Sequence, residues 1–204
     1  MPRRRRKAEA VLAAAALLLT APLLSIVAIG ILISDPGPVF YPAERVGVRG
    51  ARFRMYKFRT MRIAADRGSR ITGARDARVS AFGRWLRRLK LDELPQLVNI
   101  IRGDMAFVGP RPEDPWFVDR YYTGADRETL EVPPGLTSPG TLYYFTHEPD
   151  SEESYISGPL QTKLALDRAY VREASAVYDL RLAYETIRVL GRVLISSMQA
   201  GRLH

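Results

Sequence analysis

The chain contains no cysteine. A disulfide framework and thiolate chemistry are thereby excluded. Histidine is nearly as scarce, with His147 and His204 far apart and the second at the very end. A zinc site would have to be built from these two and carboxylates, short of the four N or S ligands that structural zinc usually takes. No internal repeat is present, and no low-complexity tract beyond an Ala/Leu-rich N-terminal stretch. Acid is also in deficit: 22 Asp and Glu stand against 31 Lys and Arg, a net charge of +9. That balance favours polyanionic partners, whether nucleic acid, anionic lipid headgroups or phosphorylated substrates. With 204 residues, the chain has room for one compact domain and an anchor, not for two ordinary domains and a membrane segment.

What the chain has in quantity is apolar sequence at its start. Arg3 to Arg6 and Lys7 precede the run Ala8 to Ser34, whose single charge is Glu9. About 20 apolar residues suffice to cross a bilayer as a helix. The run also exceeds the roughly 7–15 apolar residues of a secretory signal, so it reads as a retained membrane segment. The expected division is residues 1–34 as basic segment and membrane helix, and residues 35–204 as the remaining domain. Topology stays open on charge alone. Basic residues favour the cytoplasmic flank, yet both flanks are basic, the downstream one through Arg45, Arg49, Arg52, Arg54, Lys57, Arg59 and Arg62. A helix that bends and leaves on its side of entry satisfies both; a single span satisfies one. Pro22 predicts a kink, with Ser25 able to back-bond a freed carbonyl.

After the anchor, Asp35-Pro36-Gly37-Pro38 stops the helix. Val39-Phe40-Tyr41 and the alternating Arg52–Phe58 read as two strands joined through Gly47 and Gly50, with Phe53, Met55 or Tyr56, and Phe58 toward the core. Helical spacing follows over Ser80–Arg88 and again through Leu94, Leu97, Val98 and Ile101, closed by Gly103, with Pro95 in a first helical turn. Residues 116–122 suggest a short helix. Pro133-Pro134-Gly135 and Pro139-Gly140 read as turns, and residues 160–193 as one or two amphipathic helices. The fold class is α+β, mainly helical, with a small β-hairpin.

The chemistry concentrates in Leu91-Asp92-Glu93-Leu94-Pro95-Gln96-Leu97. Two adjacent carboxylates precede a helical proline, at a terminus whose partial positive charge keeps carboxylates ionised and favours phosphate. By spacing alone, plain helix capping is the commoner reason for such a pair. If the pair is chemical, neighbours in sequence point apart, so one carboxylate suits a nucleophile and the other a hard cation such as Mg²⁺. Lys57, Arg59, Arg78, Arg84, Arg87, Arg88, Lys90, Arg102 and Arg111 supply positive charge of the kind phosphoryl transfer needs. Arg111, fixed between Pro110 and Pro112, loses little entropy on binding an anion.

Taken in order, these blocks resemble the bacterial sugar transferase family, the monotopic polyprenyl-phosphate phosphoglycosyl transferases of the small single-domain type. The matching runs are Gly37-Pro38-Val39-Phe40, Glu44-Arg45-Val46-Gly47, Tyr56–Met61, Phe82–Arg87, Leu91–Leu97, Gly103-Asp104-Met105 and Val108–Pro112. The resemblance implies that Asp92 attacks the β-phosphate of a UDP-sugar and releases UMP. The sugar phosphate held on Asp92 then passes to a polyprenyl phosphate. It further implies Mg²⁺ at Glu93, with Asp92 as a second expected ligand, and contact of Pro110-Arg111-Pro112 with the nucleotide or its phosphates. Of the basic residues above, Lys57, Arg59, Arg87 and Arg88 are expected to bind the substrate beside that loop. A re-entrant anchor, amphipathic interfacial helices, and a place on the cytoplasmic face of the bacterial inner membrane against anionic headgroups belong to the same expectation. Nucleic acid is not an expected partner. Departures from the family pattern are Ala21-Pro22 at the helix break, Asp76-Ala77-Arg78, and Ser138–Tyr144 where a sugar-proximal stretch is expected. Two other readings explain less: a tethered basic protein binding anionic lipid or nucleic acid without catalysis, and a catalytically dead scaffold. The first accounts for the charge but not for Asp92-Glu93 beside Pro95.

Overall fold

The structure, a computed structural model, describes residues 3–63, 68–73, 76–147 and 149–200, without the side chains of Arg3 and of residues 193–200. Helix α1 (Arg3–Ser34) runs unbroken through Pro22. It is long and apolar enough to cross a membrane, and little of it is buried in protein. Hydroxyls back-bond within it: Thr20 Oγ1 donates to the Ala16 carbonyl at 2.7 Å and Ser25 Oγ to the Ala21 carbonyl at 3.0 Å.

One narrow stripe of α1 packs on the domain. Ala13 joins Ala43, Met55, Leu97, Ile100 and Met105, and Val27 and Ile31 join Phe58 and Leu86. Both ends of the helix are tied to the same body. Near its start Arg5 pairs with Asp179, Arg6 donates to the Arg102 carbonyl, and Glu9 accepts from the Phe107 amide. At its exit the Asp35 carboxylate accepts from the Ile63 amide and pairs with Arg59.

The hairpin is β1 (Phe40–Val46) against β2 (Arg52–Phe58), antiparallel, with Phe40 opposite Phe58 and Val46 opposite Arg52. Its turn runs through positive φ at Arg49 and Gly50. Met55 and Phe58, three apart and therefore on opposite faces of the strand, are both buried. Helix packing on each face defeats a simple period of two. Helix α2 (Ala81–Arg88) starts at Ser80, whose side chain accepts from the Gly83 amide. A Cβ on Gly83 would strike the Thr60 carbonyl, so glycine is what lets α2 approach the end of β2.

The acidic motif departs from expectation. Leu91–Gln96 is a 3-10 turn with Pro95 inside it, and the α-helix proper, α3 (Leu97–Arg102), begins after the motif. Gly103 closes α3 at φ 80°. Pro133–Pro139 is not simply a run of turns. β3 (Ala106–Val108) and β4 (Gly135–Thr137) form a short parallel pair. Ser138 caps α5 (Pro139–Thr146), with Pro139 in the first turn, where its missing N–H costs nothing. Helix α4 (Pro115–Tyr121) lies where a short helix is expected. The helices α6 (Glu152–Ser157), α7 (Pro159–Glu173) and α8 (Ala176–Ala200) complete the chain.

Candidate active site

Three supports converge on the Asp92–Glu93 turn. Strand β2 brings Lys57, held in place by buried Phe58 on one side and Asn99 on the other. Asn99 is fully buried; its Oδ1 accepts from the Tyr56 amide at 3.0 Å and its Nδ2 donates to the Arg54 carbonyl at 2.8 Å. It staples β2 to α3, a role its sequence position gave no sign of. The last turn of α2 brings Arg87, whose Nε donates to Thr60 Oγ1 at 2.9 Å. Lys90 then takes a left-handed conformation, φ 54°. That is costly for a residue with a Cβ and common at functional sites. It turns the chain out of α2 into the acidic turn, and its ammonium lies 4.2 Å from the Phe145 ring centroid.

The third support is the loop Gly109-Pro110-Arg111-Pro112, hung from the parallel strand pair. The Gly109 amide donates to the Thr137 carbonyl at 2.9 Å and the Gly135 amide to the Pro110 carbonyl at 3.0 Å. A Cβ on Gly135 would collide with Gly109, so the two glycines permit this close crossing. Arg111 also lines a shallow surface recess with Val46, Gly47, Tyr122, Leu130 and Pro134.

Arg111 meets Glu93 in a bidentate pair, Nη1 to Oε2 at 3.0 Å and Nη2 to Oε1 at 2.5 Å. Lys57 Nζ lies 3.9 Å from the same Oε1. The two neighbouring carboxylates are driven in opposite directions. Burial would push Glu93 up, but Arg111, Lys57 and Lys90 outweigh it and hold the group far below the usual carboxylate range. Asp92 is buried, and burial together with the Glu93 charge pushes its carboxyl up against the pull of Lys57, Arg87 and Lys90. The turn therefore does not treat its two carboxylates alike: cations pull Glu93 down, and desolvation pushes Asp92 up. Burial also lowers Lys57 to about 8, offset in part by Glu93.

Asp92 Oδ1 has no hydrogen-bond partner among the described residues. An unpaired buried carboxylate oxygen beside a fixed carboxylate fits a hard divalent cation that also takes substrate phosphates. Glu93 keeps lone pairs beyond those used by Arg111. Among the described residues no three acidic or histidine side chains gather as a self-sufficient metal centre. His147 is exposed and stacks on Tyr143 with ring centroids 4.2 Å apart, and His204 lies outside the described residues.

The structure thus brings Lys57, Arg87, Pro110, Arg111 and Pro112 together with Asp92 and Glu93, and places Lys90 of the basic set with them. Arg59 is instead engaged by Asp35 at the exit of α1, and Arg88 is exposed on α2. Arg78, Arg84 and Arg102 serve local contacts, with Asp76, the Val79 carbonyl and the Tyr56 hydroxyl. Sequence reading flagged Ser138–Tyr144 as a stretch near the sugar but not Phe145 or the contacts of this end of α5. Tyr144 lies within electrostatic reach of Arg111, and Phe145 packs on Lys90.

Comparison with known proteins agrees on one family. The profile described as Bacterial sugar transferase matches residues 3–192. The UDP-glucose:undecaprenyl-phosphate glucose-1-phosphate transferase of Xanthomonas campestris pv. campestris is 35% identical over 189 residues, covering 90% of this chain and 38% of its own length. The UDP-N-acetylgalactosamine-undecaprenyl-phosphate N-acetylgalactosaminephosphotransferase of Aeromonas hydrophila is 32% identical, covering 91% of this chain and 43% of its own length. The exopolysaccharide production protein ExoY of Rhizobium meliloti (strain 1021) is 37% identical over 201 residues, covering 90% of this chain and 83% of its own. The chain therefore spans well under half the length of the first two of these relatives.

Proposed function

The chain belongs to the bacterial sugar transferase family, and from that premise we propose that it moves a sugar 1-phosphate from a UDP-sugar to a polyprenyl phosphate at a membrane. The observation that carries the reading is the division of the carboxylate pair: Glu93 is gripped by Arg111 and Lys57, while Asp92 Oδ1 beside it is buried and unpaired. A gripped carboxylate is a structural and cation-holding group. An unpaired, desolvated one is a nucleophile once ionised.

The reaction has two displacements. An Asp92 oxygen forms a bond to the β-phosphorus, and the bond from that phosphorus to the bridging oxygen breaks, releasing UMP with the bridging oxygen. A polyprenyl phosphate oxygen then attacks the same phosphorus, and the Asp92 carboxylate leaves. The products are UMP and a polyprenyl diphosphate sugar. Arg111, Lys57, Arg87 and Lys90 surround the phosphoryl oxygens with positive charge, the usual requirement for such a transfer. Mg²⁺ held by Asp92 and Glu93 would add charge neutralisation and favour the ionised carboxylate.

With Mg²⁺ and undecaprenyl phosphate, one of a panel of UDP-sugars that includes UDP-glucose and UDP-N-acetylgalactosamine should yield equal amounts of UMP and lipid-linked sugar. Absence of both products across the panel would end the transferase reading. The stretch around α5, which departs from the family pattern and borders Lys90 and Arg111, is the natural determinant of which sugar reacts.

The anchor reads as re-entrant on the cytoplasmic face. Nine large apolar side chains of α1 are exposed, among them Leu18, Leu19, Ile26 and Ile33. Leaving them in water would cost on the order of 10 kcal/mol, comparable with a domain's whole stability, so hydrocarbon is their natural surrounding. The helix is about 48 Å long, well over a bilayer core of about 30 Å. Yet contacts at both its ends, Arg6 with Arg102 and Asp35 with Arg59, are to the one domain. A straight span would carry the first of these across the membrane. Because the chain has no native cysteine, Pro2→Cys and Pro36→Cys give clean single-site probes. Both should react with an impermeant maleimide from the cytoplasmic side; reaction from opposite sides would establish a simple span.

A further inference from the structure

A lysine buried in a protein interior is costly unless something specific requires its charge. Lys163 of α7 is 2% exposed. Its ammonium donates to Glu113 Oε2 at 3.2 Å and to the backbone carbonyl of Arg111 at 3.5 Å. The Tyr155 hydroxyl of α6 donates to the same Glu113 oxygen at 2.6 Å.

The sequence of the loop explains why such a donor is needed. Pro110 and Pro112 have no N–H, so the backbone around Arg111 is held mainly through its carbonyls by donors from elsewhere. The Pro110 carbonyl is held by the Gly135 amide and that of Glu113 by the Val46 amide, each at 3.0 Å. Between them lies the Arg111 carbonyl, and the donor to it is a side chain from an element far along the chain.

We propose that Lys163 is a positioning residue for Arg111, fixing the backbone from which its guanidinium reaches Glu93 and the substrate phosphates. The inference rests on the transferase reading above. It assigns a purpose to the packing of α6 and α7 against the loop: Tyr155 orients Glu113, Glu113 neutralises and aims Lys163, and Lys163 sets the loop. A misplacement of about 1 Å at a phosphate-binding group costs about 100-fold in rate.

The test is a double-substitution cycle on the 204-residue chain in nanodiscs, reading kcat/KM for the UDP-sugar together with the thermal midpoint. Lys163→Met should lower kcat/KM by about 10- to 100-fold. In an Arg111→Lys background, where the guanidinium is already gone, the same change should cost less than about 3-fold. Should the lone substitution strand Glu113 and unfold the chain, the pair Lys163→Met with Glu113→Gln removes both charges while leaving Tyr155 an acceptor, and the same cycle is run with it. Penalties that simply multiply in the Arg111→Lys background would overturn the inference, leaving a general packing role. An inactive wild-type chain across all UDP-sugars would instead overturn the transferase reading, and the inference with it.

Discussion

Asp92→Asn should abolish transfer while leaving the protein at least as stable as the parent. With the proposed nucleophile lost, turnover should fall by about 10⁴-fold or more. Stability should not fall with it. The Asp92 carboxyl is buried, its pKa is pushed up by desolvation and by Glu93, and one of its oxygens has no partner among the described residues. A neutral amide of the same shape removes a charge the fold accommodates poorly. A thermal midpoint equal to or above that of the parent, alongside undetectable lipid-linked sugar, is the expected pair of results. A large drop in the midpoint would mean that Asp92 is structural, the capping role its sequence position also permits.

Arg111→Lys should be nearly as damaging to catalysis, although it keeps the charge. The guanidinium reaches both Glu93 oxygens at once, and an ammonium on a flexible stem cannot reproduce that fork. The expected loss is about 10²- to 10³-fold in kcat/KM, the cost of removing one preorganised donor to developing charge. Arg111→Ala would go further, leaving Glu93 to Lys57 and Lys90, and breaking a largely buried pair destabilises by about 3–5 kcal/mol. Steady-state kinetics with equilibrium unfolding on both variants separates the two effects. A Lys variant with near-parental kcat/KM would show that Arg111 contributes only charge.

Much of this site was legible in the sequence because its parts are local. The acidic pair, the Pro-Arg-Pro loop, Lys57 and Arg87 lie in short segments whose residue types carry their chemistry, and the structure gathers them. Arg59 was not separable from Lys57 by pattern. The two alternate on one strand and its extension, and only the packing of α1 decides that Arg59 turns to Asp35. The 3-10 form of Leu91–Gln96 was missed because Pro95 is equally at home in the first turn of an α-helix. The β3–β4 pair is only three residues a side, too short for any periodicity, and its glycines are chosen by close backbone crossing. Asn99 and Lys163 were invisible for a different reason. Their partners lie at Arg54 and Tyr56, and at Arg111 and Glu113, and a lone polar residue at helical spacing does not announce a distant contact.

The proposed covalent step is tested most directly without the lipid. The protein incubated with its UDP-sugar and Mg²⁺, acceptor omitted, should release close to one equivalent of UMP. Its mass should rise by one sugar phosphate, carried on the peptide that contains Asp92, and added polyprenyl phosphate should remove it. UMP release that occurs only when the lipid is present, or a sugar phosphate found on any other residue, would contradict the account.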